Sequence, residues 1–373
     1  MIYLTYNDQP SGIYNSQVID VCRFLKDEFN EDIQLIALVS IRGFALNRKK
    51  IKQELPNALV VPMIPKHSNW KLNLSLLKLL FLFLKKGQKM IARGVFSTNL
   101  ALDLKKGGLV SSVVFDARGA YQAEFSEYLH KVVHLNDDIS ALEARAVNES
   151  DFRLAVSGKL VDHWRRAYSY EGTRHVVIPC TLSNLEESKK EDEIVSFRKK
   201  MGYQTGDIIL VYAGSTADWQ SSGMINNFLV DQLKSNSAIK VLMLSRFNLN
   251  EFGANNLFPG RITQLWLPAS EVPLYLAIAD YGLLIREQSV TNEVASPTKF
   301  AEYLSAGLKV IISNGIGDFP EFVKIHQAGS IYTSGVVLPL EIVSMEEKRR
   351  MKTLATEYFH KKHFKNEFKK IIS

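Results

Sequence analysis

The sequence predicts an α/β protein of two facing Rossmann-like domains with parallel sheets, and three observations carry that expectation. Short β-branched runs alternate with helical stretches along most of the chain, the pattern of βαβ units. The alternation is interrupted at the polar, acidic stretch from Thr181 to Ser196 and then resumes. At 373 residues the chain is too long for one ordinary hydrophobic core, so two domains are expected.

The first half reads as seven strands: IYLTY (2–6), IQLIALVS (33–40), ALVVPM (58–63), KMIARGVF (89–96), SSVVFDAR (111–118), FRLAVS (152–157) and RHVVIP (174–179). Helical patterns lie between them, for example Asn15 to Phe29, Asn69 to Lys86 and Asp138 to Asn148. The second half repeats the scheme with IILVYAGS (208–215), KVLMLS (240–245), ITQLWLP (262–268), YGLLIR (281–286), KVIIS (309–313) and GSIYT (329–333). A helix from Glu271 to Ala279 precedes the fourth of these, and Glu341 to Ser373 reads as helical and rich in lysine. The expected domains are 1–182 and 183–354. Doubly wound sheets in tandem place their carboxyl ends around a shared cleft, where such folds bind ligands.

Composition narrows the function. Apolar residues make up 46% and charged residues 23%, as in soluble globular proteins. Lys and Arg number 46 against 39 Asp and Glu, a modest excess that suits phosphorylated ligands or an anionic membrane. Basic runs interleaved with stacking aromatics, zinc-finger spacing and RNA-binding signatures are missing, so no nucleic-acid partner is expected. Cys22 and Cys180 stand far apart beside apolar residues, which suggests a reducing compartment. MIYLTYNDQPSG lacks the basic and apolar regions of a signal peptide, and the longest apolar run, Leu72 to Leu84, is too short to span a bilayer. The expected location is cytoplasmic, with the inner face of the cell membrane as the second possibility. The eight histidines show no H-E-x-x-H or paired spacing, no carboxylate cage is readable, and neither a G-x-G-x-x-G nor a G-x-S-x-G is present. No metal and no cofactor are expected.

The most informative stretch is SPTKFAEYLSAGLKVIIS, Ser296 to Ser313. Ser296 reads as an N-cap and Pro297 as the first helical residue. The N–H groups of Thr298 and Lys299 then face an anion at the positive end of the helix dipole, and Lys299 adds a full charge. Glu302 falls on the same helix face, placed to accept hydrogen bonds from two vicinal hydroxyls such as those of a ribose. Gly307 ends the helix before the buried strand KVIIS. This is chemistry for holding a nucleoside diphosphate.

The stretch resembles the donor-site signature of retaining glycosyltransferases with two Rossmann-like domains, the GT-B-type architecture. The likeness is to family 4 (group 1), and within it to the bacterial surface-polysaccharide branch with an S-P-x-K…E-Y-L-x-x-G element. Further echoes follow in the family's order. Ser11-Gly12 resembles its small-residue loop after the first strand, although a plain turn reads equally well. IARG and SVVFDARGAYQAE resemble R-G and D-x-R-G elements, and set Arg93, Asp116, Arg118 and Glu124 near the carboxyl edge of the first sheet. LEARAVNESDFRLAVSGKL, VVIPC and VYAGS resemble the following family stretches, the last bringing Gly214 and Ser215 to the donor.

The chain departs from the family twice. Where many members carry an Arg and a Lys after the V-x-G-S element, it has Ser215, Asp218, Trp219 and Gln220, so charge neutralisation falls to Lys299 and Arg286. Arg286 is either a phosphate fork or a solvated strand-end residue. The family's Glu-x7-Glu spacing, counted back from Glu302, lands on Val294, with Glu293 one position away, so either the loop is one residue longer here or backbone groups of Asn292–Ala295 hold the sugar.

The resemblance implies an enzyme, a hexosyl- or related transferase. It moves a sugar from a nucleoside diphosphate sugar to a hydroxyl of a growing glycan with retention, in lipid-linked surface polysaccharide (O-antigen or capsule) synthesis. Expected partners are the nucleotide-sugar donor and a glycan or lipid-linked glycan acceptor. Gly214, Ser215, Ser296, Pro297, Thr298, Lys299 and Glu302 would hold the donor; Gly12, Arg93 and Glu124 would line the acceptor side; and Asp116, Arg118, Lys299 and Arg286 would be catalytic. Asp116 either orients or deprotonates the acceptor hydroxyl, or forms a structural ion pair with Arg93 or Arg118. A helix at about 355–373 is expected to return to the first domain. Two other readings stay open: a nucleotide-sugar 2-epimerase of the same fold, and a catalytically silent nucleotide-sugar-binding partner. From Trp70 to Lys86 the pattern puts Lys71, Ser75, Lys78 and Lys85 on one helical stripe beside Leu and Phe. That describes an interfacial helix on anionic lipid or a crossover helix packed on a sheet.

Overall fold

The computed structural model describes residues 1–65, 67–129, 138–183, 191–214 and 221–373, with backbone only at His67 and Glu251. It divides into two compact units. The first comprises Met1–Ser183 with Val294–Ser296 and Lys361–Ser373; the second comprises Asn184–Glu293 and Pro297–His360.

The first unit is built on β1 (Ile2–Tyr6), β2 (Gln34–Val39), β3 (Leu59–Pro62), β4 (Gln88–Arg93), β5 (Val110–Ala117), β6 (Phe152–Ala155) and β7 (His175–Val177). All pair in parallel in the order β3-β2-β1-β4-β5-β6-β7. Parallel strands are covered on both faces, which is why they read as continuous apolar runs. Tyr3, Leu35, Ala37 and Val114 pack into one core layer, and Leu4, Ile36, Leu38 and Val113 into the other. Phe368 and Ile371, on the terminal helix Lys365–Ile372, complete the first of these layers.

The second unit holds β8 (Ile208–Ala213), β9 (Ile239–Leu244), β10 (Ile262–Leu265), β11 (Tyr281–Leu284), β12 (Lys309–Ser313) and β13 (Gly329–Tyr332). They form a parallel sheet of order β10-β9-β8-β11-β12-β13. Each sheet reverses direction once, beside β1 and β4 in the first and beside β8 and β11 in the second. Ligands of doubly wound sheets bind at the carboxyl end of such a switch point.

Several elements end earlier than the apolar pattern suggests. KMIARGVF is strand only to Arg93; Gly94 takes φ +79°, a left-handed conformation open to glycine, and starts the helix Gly94–Lys106. The helix expected from Asn69 to Lys86 is a 3₁₀ turn, His67–Leu72, followed by Asn73–Leu80. It stops because Phe81 is anchored in the core and the chain must turn back, through Gly87 at φ +72°, to begin β4. Lys85 is therefore not on that helix. The segment from Glu341 splits into Met345–Phe359, opened by a capping box of Ser344 and Glu347, then a 3₁₀ turn Lys361–Phe364 and the terminal helix. Among the described residues, no helix is long and apolar enough to cross a membrane, and no group of three or more His, Cys, Asp or Glu could hold a metal ion.

Candidate functional site

In the first unit the switch point is ringed by charge. Asp8, just beyond β1, lies 3.4 Å from Nε of Arg93 at the end of β4. Arg93 Nη1 is 3.6 Å from Oδ2 of Asp116 on β5, and Arg118 Nη1 is 3.3 Å from Asp116 Oδ1. The Tyr3 hydroxyl donates to Asp116 Oδ2. Asp116 is 2% exposed, so this carboxylate is buried and engaged from both sides. Burial opposes the charge on Arg93, but Asp8 and Asp116 outweigh it and hold the guanidinium protonated. Burial, with the neighbouring Asp116 charge, pushes the Tyr3 hydroxyl well up. Arg118 extends the network by donating to Gln17 Oε1 at 2.8 Å and to Cys180 Sγ at 3.1 Å.

The other two residues expected on the acceptor side lie on separate short helices. Gly12 opens the helix after β1, capped by Ser11 Oγ, which accepts from Tyr14 N–H at 3.3 Å. A β-carbon on Gly12 would meet no neighbouring atom, so packing does not demand a glycine there. Glu124 ends the short helix Tyr121–Glu124, and burial raises its carboxyl.

In the second unit the switch point joins the donor candidates. Arg286 lies two residues beyond β11 and is 7% exposed, which removes the solvated strand-end reading: the guanidinium is packed inside. The backbone N–H of Arg286 donates to Ser313 Oγ at 2.9 Å, and its guanidinium Nη1 donates to Asn292 Oδ1 at 3.2 Å. Lys299 and Glu302 are carried by the helix Thr298–Ser305. Burial lowers the Lys299 ammonium; Glu302 opposes that shift and Arg286 adds to it. Two cations and one carboxylate thus feel one another at a helix start, a group with a surplus positive charge. Gly214 follows β8, and a side chain there would run into the Tyr212 ring. Ser215, Asp218, Trp219 and Gln220 lie outside the described residues, as does 184–190 of the acidic stretch.

The helix start itself differs from expectation. Pro297 is the N-cap, with φ −65° and ψ 128°, and Thr298 is the first helical residue. Ser296 does not cap the helix, because its hydroxyl accepts the Cys180 N–H at 2.9 Å. The side chain of Val294 is fully buried and its carbonyl accepts from Ser157 Oγ at 2.7 Å, so the first acid of the Glu-x7-Glu pair is not replaced at that position.

Sequence reasoning missed four supporting groups. Gln17 sits in a π-helical turn, Asn15–Ile19, an irregularity common at functional sites, and bridges Arg118 to the Thr181 carbonyl. Glu143 is fully buried and accepts from the N–H groups of Tyr121 and Gln122 and from the Tyr168 hydroxyl, which fixes the segment bearing Glu124. Tyr303 wedges between the ends of β8 and β11: its hydroxyl accepts from Ala213 N–H at 3.0 Å and donates to the Leu283 carbonyl at 3.3 Å. Trp266, just past β10, is 57% exposed with the Arg246 guanidinium 4.2 Å from its ring centroid. The exposed indole at a strand end was the only one of the four with a readable signal, in ITQLWLP.

No protein-family model matches the chain, and no curated protein matches its sequence. Solved structures do. Anabaena HepE in complex with UDP and glucose superposes with a TM-score of 0.69 at 13% identity, covering 96% of this chain and 95% of that one. A glycosyltransferase from Rickettsia africae gives 0.70 at 15% identity over 100% and 97%. The lipopolysaccharide outer core galactosyltransferase WaaB gives 0.67 at 13% over 100% and 98%. The chain therefore has the fold of the GT-B glycosyltransferases, a parallel-sheet α/β unit of seven strands and another of six.

Proposed function

We propose that this chain is a nucleotide-sugar-dependent glycosyltransferase that moves a sugar from a nucleoside diphosphate sugar to a hydroxyl of a growing glycan. The reading rests on Arg286, buried just past β11 and bonded to the end of β12 through Ser313, and on Lys299 and Glu302 three residues apart on the helix Thr298–Ser305 that joins those two strands. Arg286, Lys299 and the free N–H groups at the start of Thr298–Ser305 bind the diphosphate, and Glu302 accepts the ribose hydroxyls. Trp266 offers a flat apolar face for the base. As the bond from the sugar's anomeric carbon to the diphosphate oxygen breaks, its electron pair stays on the diphosphate, where the two cations stabilise it. The acceptor oxygen forms the new bond on the same face and passes its proton to the departing diphosphate oxygen, so the configuration at the anomeric carbon is retained. Asp116 is engaged by Tyr3 and Arg118, so its part is to hold Arg93 and Arg118 in place for the acceptor rather than to take that proton. The fold shared with a lipopolysaccharide galactosyltransferase supports a lipid-linked surface glycan, O-antigen or capsule, as the acceptor. No cofactor besides the donor enters the scheme.

Thermal shift with UDP, GDP, ADP and CMP tests the reading. A nucleotide at 100 times its dissociation constant adds ~2.7 kcal/mol of stability. UDP comes first, because HepE was crystallised with it. No shift with any nucleotide overturns the proposal. With a shift, acceptor-dependent nucleotide release supports it. Acceptor-free epimer formation replaces it with a 2-epimerase, and binding without turnover with a silent binding partner.

A further inference from the structure

The 3₁₀ turn His67–Leu72, the helix Asn73–Leu80 and the turn after it carry apolar residues on two opposite faces. The inner face is Trp70, Asn73, Leu77 and Phe81, all buried against the first sheet. On the outer face Leu72 is 54% exposed, Leu79 55%, Leu82 69% and Phe83 84%. A helix on a water-facing surface normally carries polar groups on its outer side. Here the only polar outer residues on the helix and its turn are Lys71, Ser75, Lys78, Lys85 and Lys86, all exposed. The crossover and interfacial readings of this segment are thus compatible: one face packs on the sheet and the other remains uncovered.

The charge around this patch is one-sided. No acidic residue lies between Glu54 and Asp103. Residues 33–102 hold twelve Lys and Arg and the single acid Glu54, so under a fifth of the chain carries more than its whole net charge of +7. The helix Phe44–Glu54, which supplies Arg48, Lys49 and Lys50, flanks β3, the edge strand of the sheet, from the opposite face.

We propose that the first unit docks on an anionic lipid bilayer through this patch, with Leu82 and Phe83 inserted among the acyl chains and Lys78, Lys85 and Lys86 against the headgroups. Lysine beside exposed Leu and Phe is the chemistry of an interfacial anchor. Three exposed leucines with a single exposed aromatic, Phe83, favour lipid over nucleic acid, which asks for several stacking aromatics along a basic groove. Because β3 ends at the carboxyl edge and β4 starts at the amino edge, the tip lies at the amino edge of the sheet, away from its switch point. Docking there leaves the Arg93–Asp116 cluster, at the other edge of the sheet, uncovered. The inference does not depend on the donor chemistry and is tested without nucleotide.

Flotation of the purified chain with phosphatidylglycerol/phosphatidylcholine vesicles and with pure phosphatidylcholine vesicles is the experiment. Binding is expected to the anionic vesicles alone, weaker in high salt as screening shortens the range of the field. The triple variant Lys78→Gln, Lys85→Gln, Lys86→Gln should bind ~100-fold more weakly, at about 1 kcal/mol per lysine and 1.4 kcal/mol per tenfold. Leu82→Ser with Phe83→Ser, at exposed positions, should bind at least ~10-fold more weakly with an unchanged melting temperature. Absence of parent binding to anionic vesicles at low salt overturns the proposal. So does unchanged vesicle affinity of the Leu82/Phe83 variant, or a stronger affinity for single-stranded RNA than for vesicles.

Discussion

Tyr303 stacks directly on Gly282, leaving no room for a β-carbon at the glycine. β8 and β11 pair only at Tyr281↔Leu210 and Gly282↔Val211, and beyond that point the Tyr303 hydroxyl takes over, joining Ala213 and Leu283 across the gap. Tyr303 is also the neighbour of Glu302, so the wedge that closes the switch point fixes the helix that carries the proposed donor residues. Gly282→Ala should destabilise the second unit by about 1–3 kcal/mol through overpacking. It should also weaken nucleotide binding, because Tyr303 must move. Tyr303→Phe, which keeps the ring and strands the Ala213 N–H, should cost about 1–3 kcal/mol without the steric shift. Urea unfolding and titration calorimetry on the two variants separate the effects; equal nucleotide affinity in Gly282→Ala and the parent would show that the wedge does not position the site.

Glu302→Gln should weaken nucleotide binding and nearly abolish transfer while leaving the fold intact. Calorimetry with UDP is the measurement, and an unchanged affinity places the ribose elsewhere.

Lys299→Ala should cost a nucleoside diphosphate about 1.5–3 kcal/mol, the worth of a charged hydrogen bond, and the matching nucleoside far less. Equal losses for both ligands would mean that Lys299 does not meet the phosphates.

The strands were legible because a parallel sheet buries both faces and needs unbroken apolar runs, and every run read from the sequence became a strand. Their ends were not legible, because apolar residues continue past the last ladder bond, as Val95 and Phe96 do after Gly94. Lys299 and Glu302 could be placed because they share one helix, whose spacing is local. Ser296 could not be placed: a Ser-Pro start reads as a cap, but the hydroxyl was claimed by Cys180, far away in sequence. Gln17 and Tyr303 were invisible for the same reason, since each acts on partners brought together only by the sheets.

Asp116→Ala should unfold the first unit more readily by about 3–5 kcal/mol, the cost of stranding buried partners of an ion pair, here Arg93 and Arg118. The UDP affinity should not change, since the proposed nucleotide-binding residues belong to the second unit. A loss of UDP binding in a variant still folded at the assay temperature would remove Asp116 from the acceptor side.

Lys361 gives the last prediction, a pH dependence. It is 1% exposed, donates to the Ser16 carbonyl at 3.2 Å and to Thr181 Oγ1 at 3.0 Å, and makes no ion pair among the described residues. Its N–H donates to the Leu182 carbonyl at 2.9 Å, so it ties the C-terminal segment to the strand-end loop after β7. Burial lowers its pKa from 10.5 to about 8. A lysine lowered on folding binds its proton more tightly in the unfolded chain. Below pH 8 both states are protonated and the full cost of the buried charge is present; between 8 and 10.5 the folded state releases its proton first and stability rises with pH. Lys361→Met should abolish that rise, so the difference in unfolding free energy between parent and variant should shift in the parent's favour by up to about 3 kcal/mol across this window. Lys348, also lowered to about 8 by burial but in the second unit, is unaltered in both proteins and cancels from the comparison. Parallel stability curves for parent and Lys361→Met from pH 7.5 to 10 would show that the Lys361 ammonium is solvated in the folded protein.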